Sequence, residues 1–186
     1  MWFPAEHHTC YITFVIIRHN MILDASTSIL IAKIDLLGSL LSEPALEVVI
    51  PAAVERECCG AKKTLDALII RKVVDDSRIR VVLSENRRLV SKVATEFSLG
   101  KGEAEAIALG LAESGSLVGI DDKNGINACK LLGIAFTSAI DLLIRSREKK
   151  LLSHEEALAS LVSLSRYGRY SESILEDARR RLESHK

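Results

Sequence analysis

Short apolar runs alternate with longer stretches of helical periodicity along most of this sequence. Each run consists mainly of aliphatic or β-branched residues and ends at a polar residue or a proline, which is typical of a buried strand. The pattern predicts strands at 21–23, 46–50, 79–83, 116–120 and 134–137.

The segments between and after these runs have the periodicity of helices. The clearest helix spans 102–113, where apolar residues recur every three or four positions along one face. A second helix, at 123–132, is followed by Gly133, a residue that readily adopts the left-handed conformation found after helix ends. Further helices are predicted at 26–41, 52–59, 64–74, 85–96, 140–150, 154–164 and 171–182.

Strands that alternate with helices through short connections predict an α/β protein. The expected architecture has three layers, α/β/α, with a mainly parallel central sheet between two layers of helices. We expect the main domain to cover 21–150 and a helical C-terminal extension, 151–186, to pack on it.

The first twenty residues differ from the rest and have two interpretations. The apolar run at 11–17 is either an additional edge strand or part of an N-terminal extension, 1–20, that precedes a natural start at Met21; we favour the second. The run is too short to cross a membrane and no basic segment precedes it. We therefore expect a soluble cytoplasmic protein.

The composition indicates one globular domain and excludes a large positive field. Of 186 residues, 48% are hydrophobic, and 25 Lys and Arg balance 25 Asp and Glu. From position 145 onward, ten basic residues face seven acidic ones, so this tail carries a net +3 and the preceding part −3. This distribution is a mild indication of a cation-binding centre beside a rim that binds polyanions, although a solvated helical face would also produce it.

The four cysteines do not form a metal or redox motif. Cys10, Cys58, Cys59 and Cys129 contain no C-x-x-C pair, and no histidine lies at zinc-finger spacing. A bridge between the adjacent Cys58 and Cys59 would be strained, so we expect reduced thiols that pack in the interior.

Acidic residues follow three of the predicted strands. Asp24 follows the first strand, Asp121 and Asp122 follow the strand at 116–120, and Glu55 and Glu57 lie just after the strand at 46–50. Because the carboxyl ends of parallel strands share one edge of the sheet, where ligands bind in open α/β folds, we expect these side chains to lie near one another. Glu103, at the start of the helix 102–113, is a further candidate.

Clustered carboxylates favour a divalent cation. Without one, the negative charges raise each other's pKa, and hard oxygen ligands prefer Mg²⁺ or Mn²⁺ to zinc. This is the chemistry of metal-assisted phosphodiester hydrolysis. Each acid also has a purely structural interpretation, because Asp24 and Asp122 suit helix N-caps and Glu103 suits a helix N-terminus.

Four segments resemble, in order and spacing, the motifs of PIN-domain nucleases, and in particular the prokaryotic branch of VapC-type toxins. The resemblance covers about 21–144. Its segments are MILDASTSILIA at 21–32, IPAAVERE at 50–57, GEAEAIAL at 102–109 and LVGIDDK at 117–123.

The resemblance implies an acidic active site. Asp24, Glu57, Glu103 and Asp121 correspond to the catalytic acids, and the expected metal ligands are Asp24, Glu103, Asp121 and Asp122. Glu57 is preferred to Glu55 because it lies three residues after a valine, and Glu103 is preferred to Glu105 because it directly follows a glycine.

Two hydroxyl residues correspond to positions near the metal. Ser26 would orient a ligand or a water molecule, and Thr137 occupies the family's late hydroxyl position, although the usual neighbouring glycine is missing.

The implied activity is that of an endoribonuclease that depends on Mg²⁺ or Mn²⁺ and hydrolyses RNA phosphodiester bonds. The resemblance also implies a homodimer and, for toxin members, a small antitoxin protein. The alternative is a catalytically inactive PIN fold that binds RNA or another protein.

Two other features have competing interpretations. Gly100-Lys101-Gly102 precedes a helix, as in phosphate-binding loops, but it matches neither glycine-rich consensus. Tyr167 and Tyr170, beside two arginines, would suit stacking on bases or a turn between helices that packs on the core; we favour the turn.

Overall fold

Five parallel strands form the centre of the protein, in the order β3-β2-β1-β4-β5. The structure, a computed structural model, describes residues 19–184. The strands are β1 (His19–Leu23), β2 (Leu46–Pro51), β3 (Ile79–Val82), β4 (Leu117–Gly119) and β5 (Phe136–Thr137). The helices are α1 (Ala25–Lys33), α2 (Leu37–Leu40), α3 (Ala52–Cys58), α4 (Leu65–Asp75), α5 (Arg87–Phe97), α6 (Lys101–Ala112), α7 (Lys123–Leu132), α8 (Ala139–Glu148), α9 (His154–Tyr167) and α10 (Glu172–Ser184).

The sheet separates two layers of apolar packing, which confirms the predicted three-layer α/β/α architecture. Successive strand residues point to opposite faces, so Leu23 and Ile50 pack in one layer, whereas Ile22 and Val49 pack in the other. The first layer contains α1–α4 and the C-terminal helices α8–α10, and the second contains α5, α6 and α7. Both faces of the central strands are therefore buried, as in other parallel sheets.

The order of the strands places a crevice between β1 and β4. From β1 the chain moves outward through β2 to β3, then returns to the other side of β1 to form β4 and β5. The connections leaving β1 and β4 therefore diverge at their carboxyl ends, which is where ligands bind in open α/β sheets. Asp24 follows β1 directly, and its N–H donates to the carbonyl of Gly119, the last residue of β4, at 3.0 Å.

The helix predicted over 26–41 is wrong in one respect, since it is two helices. Asp35 adopts a left-handed backbone (φ 56°) between α1 and α2, and the Leu36 N–H donates to the Ile31 carbonyl. Leu36, Leu37 and Leu40 are buried after this turn. The turn at Asp35 thus interrupts the helix and leads to the burial of these leucines, and the apolar periodicity of 26–41 does not indicate it.

The N-terminal boundary of the first strand also differs from the prediction. β1 begins at His19 rather than Met21, and His19 and Asn20 pair with Leu46 and Glu47 of β2. The run at 11–17 and Cys10 lie outside the described residues. No helix within 19–184 is long and apolar enough to span a membrane.

The cysteines of the described region are interior packing residues, as predicted. Cys58, Cys59 and Cys129 are free thiols in buried positions. Burial is the main cause that raises the pKa of Cys58 to about 12 and that of Cys129 to about 11, so neither is a reactive thiolate at neutral pH.

Close packing between α7 and Ile120, the residue after β4, predicts a stability defect for Gly125→Ala. A Cβ atom at Gly125 would lie 2.1 Å from Cδ1 of the fully buried Ile120, and relieving such overpacking typically costs about 1–3 kcal/mol. Gly38→Ala is the matched control, since no atom lies within 4 Å of its added Cβ. Urea unfolding should give a lower midpoint for Gly125→Ala only; equal midpoints would contradict the packing described.

Candidate active site

Asp24 lies at the carboxyl end of β1 and caps the N-terminus of α1. The Thr27 N–H donates to Oδ1 at 2.7 Å, and the Ser26 hydroxyl donates to Oδ2 at 2.6 Å. The side chain is fully buried. Asp24 therefore acts as an N-cap, as its structural interpretation expects. The two hydrogen bonds hold its carboxylate in one orientation at the crevice.

Asp121 lies on the other side of the crevice, two residues beyond β4. The Thr27 hydroxyl donates to Oδ2 at 2.8 Å, and the N–H of Ala139, the first residue of α8, approaches Oδ2 at 3.1 Å. The Tyr170 hydroxyl donates to Oδ1. Thr27 thus binds both acids, one through its backbone and the other through its side chain.

The charge of these two acids is not balanced by a basic side chain. Burial is the main cause that raises the pKa of Asp24 to about 7; the negative charge of Asp121 adds to this, and hydrogen bonds from Ser26 and Thr27 oppose it. Burial also raises the pKa of Asp121. Among the described residues, neither carboxylate belongs to an ion pair. A site of this kind favours either a proton or a bound cation.

Glu103 lies in the first turn of α6, where its Oε2 accepts a hydrogen bond from the Gly100 N–H at 2.9 Å. Partial burial is the main cause that raises its pKa, and the negative charges of Asp122 and Glu57 contribute. Glu103, Asp122 and Glu57 are therefore close enough to interact electrostatically. They lie at the start of α6, at the N-cap of α7 and at the end of α3.

Gly102 allows Glu57 to approach α6. A Cβ atom at this position would lie 2.4 Å from Oε2 of Glu57 and 3.2 Å from Cγ2 of Val54. A glycine in the first turn of α6 therefore lets α3 pack closely, with the exposed carboxylate of Glu57 against the helix that carries Glu103.

Asp122 caps α7. Its Oδ1 accepts hydrogen bonds from the N–H groups of Asn124 at 2.8 Å and Gly125 at 3.3 Å. Its Oδ2, like Oε1 of Glu103, has no hydrogen-bond partner among the described residues. Each of these two rim acids therefore keeps one oxygen free.

The carboxylate oxygens at the crevice are the type of ligand that a hard divalent cation prefers. Asp24 and Asp121 supply buried, uncompensated negative charge, and Asp122 and Glu103 each have an oxygen without a partner. Within residues 19–184, however, no three Asp, Glu, His or Cys side chains already converge as a metal-ligand group. The predicted ligand set of Asp24, Glu103, Asp121 and Asp122 stays a prediction.

The other sequence candidates occupy distinct positions. Ser26 contacts Asp24, whereas Thr137 is buried in β5 and its hydroxyl makes no hydrogen bond within the described region; its role stays a prediction. Glu105, which the sequence favours less than Glu103 as a catalytic acid, is buried. It accepts a hydrogen bond from the Ala53 N–H at 3.1 Å. It binds the N-terminus of α3 to α6.

Two residues that contact Asp121, Thr27 and Tyr170, are not predicted from the sequence to lie near an acid. Thr27 lies in the first motif, but nothing in the spacing indicates that its hydroxyl reaches an acid 94 positions later. Tyr170, between α9 and α10, packs against the first apolar layer, as favoured for a turn between helices. Its hydroxyl makes the additional contact with Asp121.

A family model described as a PIN domain matches residues 20–184. The match covers most of the chain, so this protein belongs to the PIN-domain family. PIN domains are generally nucleases that cleave phosphodiester bonds, and they generally use divalent metals. A comparison with curated proteins found no match.

Tyr170→Phe should weaken metal binding without unfolding the protein. The substitution removes the hydroxyl that orients Asp121 but keeps the ring in the core, and the loss of such an outer contact typically costs about 10–100-fold in metal affinity. Calorimetric titration with Mn²⁺ measures this effect. Tyr167→Phe is the control, because that ring is 55% exposed and lies under Lys33; equal Mn²⁺ affinity in both variants would show that Tyr170 does not position Asp121.

Proposed function

We propose that this protein is an endoribonuclease that uses Mg²⁺ or Mn²⁺ to hydrolyse RNA phosphodiester bonds. The observation that supports the proposal most strongly is the pair of buried, unbalanced carboxylates, Asp24 and Asp121, at the crevice between β1 and β4. Glu57, Glu103 and Asp122 add negative charge at the rim.

The proposed division of labour follows from these contacts. A bound divalent cation would lower the pKa of a water molecule and neutralise charge on the scissile phosphate. Asp24, Glu103, Asp121 and Asp122 would hold it, and the partners of Asp24 and Asp121 would keep those two carboxylates from turning away. Preorganised ligands of this kind avoid the cost of ordering the site when substrate binds.

The finer assignment follows the resemblance to VapC-type toxins. On that basis we propose a cytoplasmic homodimer whose activity is blocked by a small antitoxin protein. These properties depend on the four motifs at 21–32, 50–57, 102–109 and 117–123 rather than on a contact within the single chain. Size-exclusion chromatography with light scattering would test the dimer; a monomer at micromolar concentration would contradict it.

A second candidate function has two observations in its favour. All four oxygens of Asp24 and Asp121 already accept hydrogen bonds, and no ready-made metal-ligand group exists within 19–184. A PIN fold that binds RNA or a protein without cleaving it would show the same arrangement.

One assay separates the two candidates. The purified protein is incubated with a mixed pool of structured and single-stranded RNA in the presence of Mg²⁺, Mn²⁺ or EDTA. We expect cleavage with either metal and none with EDTA. Binding of RNA without cleavage under all three conditions would favour the non-catalytic module.

A further inference from the structure

A groove lies beside α3 and α6, the helices that carry Glu57 and Glu103. It has a volume of about 700 Å³ and is bounded by α3, the residues after β3, and one side each of α5 and α6. Ligand pockets that hold a drug-sized molecule, such as one or two nucleotides, have about this size.

Three basic side chains line the groove. Arg56 of α3, Arg87 of α5 and Lys101 of α6 are exposed, and none of them forms an ion pair within the described residues. The one acid in the lining, Glu105, is buried and bonded to the Ala53 N–H. The groove therefore presents unpaired positive charge, although the protein as a whole is neutral.

The wall between these basic groups is apolar. Leu83 is 76% exposed directly after β3, and Val90 and Leu99 line the same groove. A base that covered Leu83 would remove this exposed aliphatic side chain from water. Cationic groups beside an apolar surface match a single nucleic-acid strand, whose phosphates are charged and whose bases expose flat apolar faces. A duplex keeps those faces stacked inside.

The groove is adjacent to the acids in the chain. Arg56 directly precedes Glu57 in α3, and Lys101 lies two residues before Glu103 in the first turn of α6. The same two helices thus carry positive charge on the groove side and negative charge at the crevice.

We propose that this groove binds the part of a single-stranded RNA substrate that flanks the scissile phosphate. Arg56, Arg87 and Lys101 contact phosphates, and Leu83 supports a base. The inference rests on the proposed nuclease function, because it assigns the path of that enzyme's substrate.

The test measures RNA binding without cleavage. A fluorescein-labelled single-stranded RNA of ten nucleotides is titrated with metal-free protein in EDTA, and anisotropy gives the Kd at several KCl concentrations. Each phosphate contact contributes about 0.7 to the slope of log affinity against log salt for a single strand. Arg87→Gln should therefore reduce this slope by about 0.7, and the triple variant with Arg56→Gln and Lys101→Gln by about 2.

Two matched controls separate the groove from general charge and hydrophobicity. Arg88→Gln removes the same charge from the next residue of α5, which does not line the groove, and should leave the slope unchanged. Leu83→Ser should weaken binding at least about threefold with an unchanged slope, since it removes apolar area that a base would cover. Leu131→Ser, at a position that is 78% exposed on α7, should bind as the wild type does.

The outcomes distinguish this inference from the nuclease proposal. Equal effects of Arg87→Gln and Arg88→Gln, or equal affinity for a duplex RNA of the same sequence, would overturn the groove assignment even if the wild type cleaves RNA with Mn²⁺. A wild type that binds the strand with the predicted variant effects but never cleaves RNA would support the groove and overturn the nuclease proposal. A wild type that neither binds nor cleaves RNA would overturn both.

Discussion

Asp24→Asn should reduce metal-dependent RNA cleavage by at least about 100-fold, since it removes a charged ligand from the centre of the proposed site. Asparagine has nearly the same volume, and its amide can keep hydrogen bonds with Thr27 and Ser26, so the fold should be retained. Initial rates of cleavage with Mn²⁺ measure the effect. Asp76→Asn, which removes an exposed carboxylate at the end of α4, is the matched control and should cleave at the wild-type rate. Wild-type rates in Asp24→Asn would exclude Asp24 from the catalytic machinery.

The same substitution should stabilise the metal-free protein at neutral and alkaline pH. Burial raises the pKa of Asp24 from 3.8 to about 7, so between these values the unfolded chain has released a proton that the folded protein retains. The contribution of Asp24 to the free energy of unfolding of the wild type therefore falls as pH rises from about 4 to 7 and then levels off. Asp24→Asn does not ionise and avoids this loss, which is on the order of 4 kcal/mol.

Urea unfolding in EDTA at pH 4, 5.5, 7 and 8.5 measures this difference. The stability of Asp24→Asn relative to the wild type should increase across the first three pH values and change little between the last two. Asp76→Asn, at an exposed position, is measured beside it as the control. A difference that is independent of pH would mean that the buried carboxylate is not the source, and added Mn²⁺ should favour the wild type over Asp24→Asn because it binds the folded state.

Both expectations follow from the same property of Asp24, whose ionised form lowers the free energy of unfolding. A buried carboxylate without a basic partner lowers stability when it is ionised, as active-site groups often do. The N-cap role of Asp24 requires a side-chain acceptor for the Thr27 N–H, but serine or asparagine would provide one without this charge. Capping alone therefore does not account for an aspartate at this position.

The arrangement of strands and the position of the acids were largely predictable from sequence. Alternating apolar runs and helical periodicity were sufficient to indicate a parallel sheet, and a parallel sheet brings its carboxyl ends to one edge. Asp24 and Asp121 could be placed near each other because each follows a strand. The neighbouring position of β1 and β4 depends on the strand order, which local patterns do not contain.

The contacts that orient the acids could not be predicted in the same way. Thr27 and Tyr170 reach Asp121 from positions 94 and 49 residues away, through packing that no local pattern encodes. The left-handed turn at Asp35 was missed because the apolar spacing continues across it. Glu105 resembled a candidate ligand, whereas its burial against the start of α3 makes it a structural acceptor.

The central claim, hydrolysis by a metal-activated water, is tested most directly by the chemistry of the product ends. The wild-type protein is incubated with a single-stranded RNA and Mn²⁺ in water enriched in oxygen-18, and the fragments are analysed by mass spectrometry. We predict new 5′-phosphates that carry one oxygen-18 atom, formed with Mn²⁺ but absent with EDTA or with Asp24→Asn; attack by a 2′-hydroxyl would instead leave the phosphate on the 3′ side. Fragments that end in a 2′,3′-cyclic phosphate, or fragments that form equally in EDTA, would contradict the account.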